Sequence, residues 1–260
     1  MKLSIEARLR YGFDNPTQVI ASIEAARSSD QTILSEELVL PQGALLLRDE
    51  DAVTGERRFR TVLTGEVEIT YRAVVDNGVR ELLQPQARQM AWSELPVDVL
   101  PYLLPSRFSP SDEFMRFAQR EFHEIAEGGA RVLAVLDWLD RHLDYVHGVS
   151  HARTTAEQTF IDRAGVCRDY SHLGITLTRA LNIPARAVSA YALDLNPPDF
   201  HAVYEVFLDG RWWLVDATRL APVEGMVRIA SGRDAADIAF LTSEYNARCL
   251  EQSISVMRAK

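Results

Sequence analysis

The chain has 260 residues, 47% of them hydrophobic, enough apolar material for one large core or two smaller ones. Twenty-eight Lys and Arg against 37 Asp and Glu give a net charge of −9, which excludes the positive excess needed for a broad grip on nucleic acid or on an anionic membrane surface. Two cysteines, Cys167 and Cys249, are too few for a disulfide framework, and no stretch approaches the roughly 18–20 uninterrupted apolar residues of a membrane span.

The first third reads as β. Leu3, Ile5, Ala7 and Leu9 alternate with polar residues and share one face of a strand. Residues 19–26 fit helix or strand, with strand favoured. Residues 32–40, 58–63 and 66–75 have strand length and composition, and Pro41-Gln42-Gly43, Thr54-Gly55 and Asp76-Asn77-Gly78 supply turns between segments. An antiparallel sheet or sandwich is expected here. Pro85, Pro96, Pro101, Pro105 and Pro110 then interrupt regular structure, because each removes a donor and fixes φ. They place a domain boundary, with an N-terminal β domain over residues 1–100 and a second domain over 101–260.

Helical period follows. Ser111 is a plausible N-cap for a helix over 113–127, whose Phe114, Phe117, Ala118, Phe122 and Ile125 share a face. A second helix fits 130–143, and a third runs from Cys167 to Asn182, ahead of Ile183-Pro184. Short strands are expected over 185–192, 201–208 and 211–218, and the tail around Cys249 reads as helical. The fold class is α+β. Met1 to Glu6 meets charge before any apolar run develops, so it does not read as a signal peptide. The expected setting is cytoplasmic, with Cys167 reduced.

Asp209-Gly210 between β-rich runs is a strong hairpin signal. With Leu208 facing Arg211, His201 faces Thr218 and Val203 faces Asp216, so His201 and Asp216 are diagonal neighbours on one face. Diagonal Cα atoms lie about 7–8 Å apart, within reach of a carboxylate–imidazole hydrogen bond. A one-residue slip would put them on opposite faces. An Asp so placed fixes the imidazole tautomer and leaves the other ring nitrogen for acid–base work. The plainer alternative is a satisfied His–Asp pair on a sheet. Trp212 shares this face by parity, with packing as its default role.

Gly165 allows a tight approach before the helix that starts at Cys167. The positive end of a helix favours thiolate over thiol, and a thiolate beside an imidazolium is an activated nucleophile for acyl transfer. Taken alone, Cys167 is equally a small buried apolar residue, and nothing in the spacing itself brings it to His201. Cys249 has no such setting and is given no role. His142, His147, His151, His172 and His201 raise the possibility of zinc, but there is no HExxH or CxxC. His147 and His151 flank a loop, and His172 lies about 140° round the helix from Cys167, a surface or packing position. No metal or other cofactor is expected, and neither phosphate-loop pattern, GxxxxGK or GxGxxG, occurs.

Gly165-Val166-Cys167-Arg168-Asp169-Tyr170, Leu181-Asn182-Ile183-Pro184-Ala185-Arg186, Val188-Ser189-Ala190-Tyr191, Phe200-His201-Ala202-Val203 and Val215-Asp216-Ala217-Thr218 together resemble the core of the bacterial transglutaminase-like superfamily, whose members are often labelled candidate cysteine proteases. Tyr102 to Arg107 and Ile229 to Asp237 are similar to its flanking segments, and the N-terminal region looks like its usual partner domain. The resemblance implies a papain-like core following the β domain. It implies Cys167 as nucleophile, His201 as general base and acid, Asp216 as imidazole orienter, and no cofactor. Val203 departs from the family, which has Trp two residues after the catalytic His. The expected activity is thioester-mediated acyl transfer on a peptide or amide substrate, with hydrolysis favoured because water needs no second binding site. A binding or scaffolding module on the same core is the alternative. The Cys167 backbone N–H is an expected oxyanion donor. The group completing that hole, the exact substrate and the oligomeric state are not written in the sequence.

Overall fold

The computed structural model describes residues 1–259. Strands β1 (Lys2–Ala21), β2 (Thr32–Val39), β3 (Leu47–Glu50) and β4 (Arg57–Asp76) form most of an antiparallel sheet. Leu3, Ile5, Ala7 and Leu9 are all buried on its inner face, as their alternation requires. The strand expected over 19–26 is instead the end of β1 as far as Ala21, after which residues 22–26 run on buried but irregular. The segments 58–63 and 66–75 are likewise one strand. Both long strands bend at the same place. The β1–β4 register shifts between Phe13 and Thr17, opposite Gly65 at φ +69°. Pro16 has no N–H for the ladder and Gly65 takes the positive φ, so the pair bulges without breaking.

In the second part, a 3-10 turn (Ser111–Phe114) runs into α1 (Met115–Phe122). This helix is shorter than the 113–127 expected. Ser111 does not cap it: the residue is buried inside the turn and makes no capping bond. The apolar stripe persists, with Phe114, Ala118 and Phe122 buried. Then come α2 (Gly129–His142), β5 (Asp144–Tyr145), α3 (Ala156–Asp162), β6 (Ala164–Gly165) and α4 (Cys167–Ala180). Strands β7 (Ala185–Ala192), β8 (Phe200–Leu208), β9 (Arg211–Val215) and β10 (Met226–Gly232) form a second antiparallel sheet in the order β10-β7-β8-β9. Helix α4 packs against β7 and β8, and α1, α2 and α3 also contact it. From Asp169 to Ala180 every residue of α4 is buried. Gly174 permits this closeness, since a Cβ there would sit 2.8 Å from the Tyr204 ring.

The tail is not helical. Strands β11 (Leu241–Ser243) and β12 (Ala247–Arg258) both pair with β1, burying Ile254 and leaving Cys249 exposed. An edge of β1 left open in the first sheet is what selects strand over helix for this tail. Residues 241–258, within the segment assigned to the second domain, therefore complete the first sheet. The Tyr191 hydroxyl donates to the Ile23 carbonyl at 2.6 Å, and Asn77 Nδ2 donates to the carbonyls of Glu224 and Met226 at 2.6 and 3.1 Å, tying the two sheets together. No helix among the described residues is long and apolar enough to cross a membrane.

Candidate active site

The β8–β9 hairpin has the expected register. Leu208 pairs with Arg211 and Tyr204 with Val215, across a turn whose Asp209 and Gly210 both have positive φ, 54° and 75°. Asp216 is the next residue after the last pair. Its Oδ2 accepts a hydrogen bond from His201 Nε2 at 2.9 Å. The strand expected over 211–218 stops at Val215 because the chain then curls around this carboxylate. The Thr218 backbone N–H and hydroxyl donate to Oδ1 at 2.9 and 2.7 Å, and the Ala221 N–H donates to Oδ2 at 3.2 Å.

His201 is 1% exposed and Asp216 6% exposed, so water screens their contact little. Burial acts to raise the Asp216 carboxyl, but the His201 hydrogen bond and charge, with the Thr218 donors, hold it below its ordinary value. Burial acts to lower the His201 pKa, yet hydrogen bonds to Asp216 and Cys167, and the charges of both, raise it to about 10. Nε2 is committed to Asp216, which leaves Nδ1 for Cys167.

Cys167 is the first residue of α4, partly exposed and unpaired. The Asp169 carboxylate reaches back to the Val166 N–H at 2.9 Å and satisfies a donor at the helix start. Arg168 Nη2 donates to Asp169 Oδ1 at 2.9 Å and to the His151 carbonyl at 2.6 Å, anchoring the preceding loop. One turn into the helix, the Ser171 hydroxyl donates to the Ala202 carbonyl at 3.0 Å. This bond locks α4 to β8 beside His201. Gly165 closes the arrangement, because a Cβ there would lie 2.6 Å from Asp169 Cβ. Gly165→Ala is expected to displace Asp169, lower stability by about 1–3 kcal/mol and slow alkylation of Cys167. Thermal melting and a timed iodoacetamide reaction check both effects.

The structure thus brings together Cys167, His201 and Asp216. Sequence reading missed a fourth group, Tyr145, which the β5–β6 pairing sets opposite Gly165. Its ring lies against Tyr170 and His147, and burial, with the neighbouring Cys167 charge, pushes its phenol up to about 12. No local pattern marks Tyr145, since its place depends on a parallel pairing between segments twenty residues apart.

The other histidines stand apart. His142 stacks on Trp138 and its Nδ1 lies 2.8 Å from the Trp138 carbonyl. His147 and His151 are exposed. His172 is buried, stacks on Phe108 and accepts from the Ala235 N–H at 3.1 Å, a packing role. Trp212 packs against Tyr102 and Phe207, with Arg186 over its ring at 4.1 Å. Val203 is buried beside Val188 and Leu214. A cavity of about 710 Å³ lies elsewhere, between the first sheet and the far end of the hairpin, and is lined by Asp30, Arg80, Arg186, Glu205 and Arg228 among others. Those arginines are all paired with the carboxylates of Asp30 or Glu205, and no member of the Cys167 cluster lines the cavity.

Residues 116–217, which contain Cys167, His201 and Asp216, match the core of the Transglutaminase-like superfamily. Residues 1–96 match the bacterial transglutaminase N-terminal domain. A crystal structure of a candidate cysteine protease from Cytophaga hutchinsonii is 37% identical, superimposes with a TM-score of 0.93, and covers 99% of this chain and 90% of its own. An uncharacterised protein of Mycobacterium leprae is 26% identical over 200 residues, 70% of this chain and 69% of that protein.

Proposed function

This chain belongs to the transglutaminase-like superfamily, and from that premise we propose that it is a cysteine acyl-transfer enzyme that hydrolyses amide or peptide bonds through Cys167, His201 and Asp216. The observation that carries the reading is the buried His201 Nε2–Asp216 bond at 2.9 Å, which orients the ring and leaves its other nitrogen to a thiol at a helix start.

The reaction runs as follows. The Cys167 thiolate adds to the acyl carbonyl, forming the S–C bond while the carbonyl π pair moves to oxygen. The tetrahedral intermediate collapses, and His201 gives its Nδ1 proton to the leaving amine. Neutral His201 then takes a proton from water as its oxygen attacks the thioester carbonyl, and the second tetrahedral intermediate collapses with cleavage of the C–S bond, releasing the carboxylic acid and leaving the Cys167 thiolate beside the His201 imidazolium. Asp216 accepts the Nε2–H throughout and stabilises the imidazolium without taking the proton. Water is the favoured acceptor because it needs no second binding site, and a peptide or amide is the substrate class. The reading includes a reducing, cytoplasmic setting, because the nucleophile works only as a free thiol.

Cys249 provides an internal control, since it is exposed and has no imidazole partner assigned to it. Limiting iodoacetamide at pH 6 is expected to modify Cys167 at least about tenfold faster than Cys249, because little of an ordinary thiol is ionised there. Peptide mapping by mass spectrometry reads the ratio. Equal rates, or faster labelling of Cys249, would defeat the proposal.

A further inference from the structure

The cavity of about 710 Å³ between the first sheet and the far end of the β8–β9 hairpin falls in the range of about 300–1,000 Å³ typical of small-molecule sites. No residue of the Cys167 cluster lines it, and its chemistry is separate from the acyl transfer proposed above. We propose that this cavity binds a small carboxylate, whose two oxygens are taken end-on by the Arg186 guanidinium and whose apolar body lies along Trp212 and Val99.

Arg186 carries unspent donors. Its Nε donates to Glu205 Oε2 at 2.7 Å, and its guanidinium carbon lies 4.1 Å from the centroid of the Trp212 ring. Among the described residues neither Nη1 nor Nη2 has a hydrogen-bond acceptor, and neither is sealed from solvent. With Nε pinned and an indole beneath, the Nη1–Nη2 end is a fork already set for bidentate pairing with a carboxylate. The neighbouring guanidinium groups are spent: Arg228 donates to Asp30 and Glu205, and Arg80 to Asp30 and Gln31. Charge points the same way. The inner wall presents three guanidinium groups to the carboxylates of Asp30 and Glu205, and each Glu205 oxygen already holds one of them. Glu56, outside the lining, accepts from the Ser231 N–H and hydroxyl at 2.6 Å each and makes no hydrogen bond to Arg186. At the mouth Arg211 is paired with Glu81, and Asp98 is exposed, where water and salt screen it. One further negative charge completes the inner wall, and a single carboxylate brings it. A phosphate would bring a second charge that no guanidinium there is free to meet. Val99 and Leu214, buried apolar residues of the lining, suit an apolar body beside that carboxylate.

Benzoate is the probe, with benzamide as its neutral isostere. In the full chain at constant ionic strength, benzoate is expected to move the Trp212 indole N–H signal in NMR saturably, with a Kd on the order of 1 mM, while the signal of Trp138, packed in α2, stays in place. Benzamide should bind at least about tenfold more weakly, because it lacks the charge that the guanidinium meets. Arg186→Lys keeps a cation for Glu205 and loses the planar fork, and should weaken benzoate at least about tenfold. Inorganic phosphate at equal concentration should leave benzoate bound. Iodoacetamide should alkylate Cys167 at the same rate with benzoate present, whereas protection of Cys167 would put the probe at the acyl-transfer site and overturn the assignment. A Trp212 signal that never saturates, equal binding of benzamide, unchanged affinity in a folded Arg186→Lys variant, or displacement by phosphate would each overturn it as well. If Arg186→Lys melts early, the comparison of benzoate with benzamide and phosphate on the wild-type chain decides.

Discussion

Replacing Cys167 by alanine is expected to remove acyl turnover, lowering it by on the order of 10⁵-fold or more, while leaving the melting temperature near that of the wild type. The loss is large because the covalent route itself disappears, and residues that act as a unit lose nearly everything when the nucleophile goes. The fold should tolerate the change because Cys167 is partly exposed and takes no part in the helix-start bonds of Val166 and Asp169. Cys167→Ser is expected to fare little better, since a hydroxyl is far harder to ionise than a thiol beside the same imidazole. His201 offers a second readout. Its pKa is raised in part by its hydrogen bond to Cys167. In Cys167→Ala that contribution is gone, so the imidazole should titrate at lower pH than in the wild type, followed by NMR of its ring protons. Turnover that persists in Cys167→Ala would show that the activity measured belongs to another group.

Asp216→Ala is the other large effect, because it acts on catalysis, stability and pH dependence together. Without the carboxylate, His201 loses its tautomer control and the partner of its imidazolium, and turnover is expected to fall about 10³–10⁴-fold. Breaking a buried ion pair also destabilises. A loss of about 3 kcal/mol is expected, at the low end for such pairs, because the stranded imidazole can shed its proton. The donors of Thr218 and Ala221 lose their acceptor as well.

The direction with pH follows from the raised His201 value. In the folded protein His201 holds its proton up to about 10, whereas in the unfolded chain it releases it near its ordinary value of 6.5. The stabilisation from its partners is therefore fully present below pH 6.5 and is lost as pH rises through about 10. Asp216, held below its ordinary value, contributes stability that is present above the ordinary carboxylate range and is lost as pH falls through its lowered pKa. In Asp216→Ala both slopes should flatten, and the alkaline limb of alkylation should move to lower pH. Denaturant melts across the pH range, with alkylation rates beside them, test this. A variant whose alkaline limb stays in place would show that Asp216 does not set the His201 charge.

Tyr145 and Asp216 mark opposite limits of sequence reading. The His201–Asp216 contact was legible because it depends on one local device. A two-residue turn sets the register, the register sets parity, and parity puts both side chains on one face. The glycine before Cys167 was legible for a similar reason, as a close approach three or four residues wide. The bulged strands were not. Pro16 and Gly65 carry the same local signal whether a strand ends or merely bends, and only pairing between β1 and β4 across the bend decides. The tail around Cys249 likewise became β12 because the edge of β1 was open to receive it, a partner more than 200 residues away that no window of sequence contains.

By itself, then, the sequence determined the two-part α+β order, the central helix beginning at Cys167, and the hairpin that joins His201 to Asp216. These rest on period, turn chemistry and short-range register, all of which act within a few residues. The tertiary structure decided the rest. It placed α4 across β7 and β8 with Cys167 at its start, the Ser171–Ala202 bond holding the helix beside His201. It set Tyr145 opposite Gly165 through a two-residue parallel pairing, and it folded the C-terminal strands back onto the first sheet. The physical reason is common to all three. Each contact forms between segments far apart in the chain, where burial of apolar surface and completion of backbone hydrogen bonds select one arrangement among many that local propensity leaves equally open.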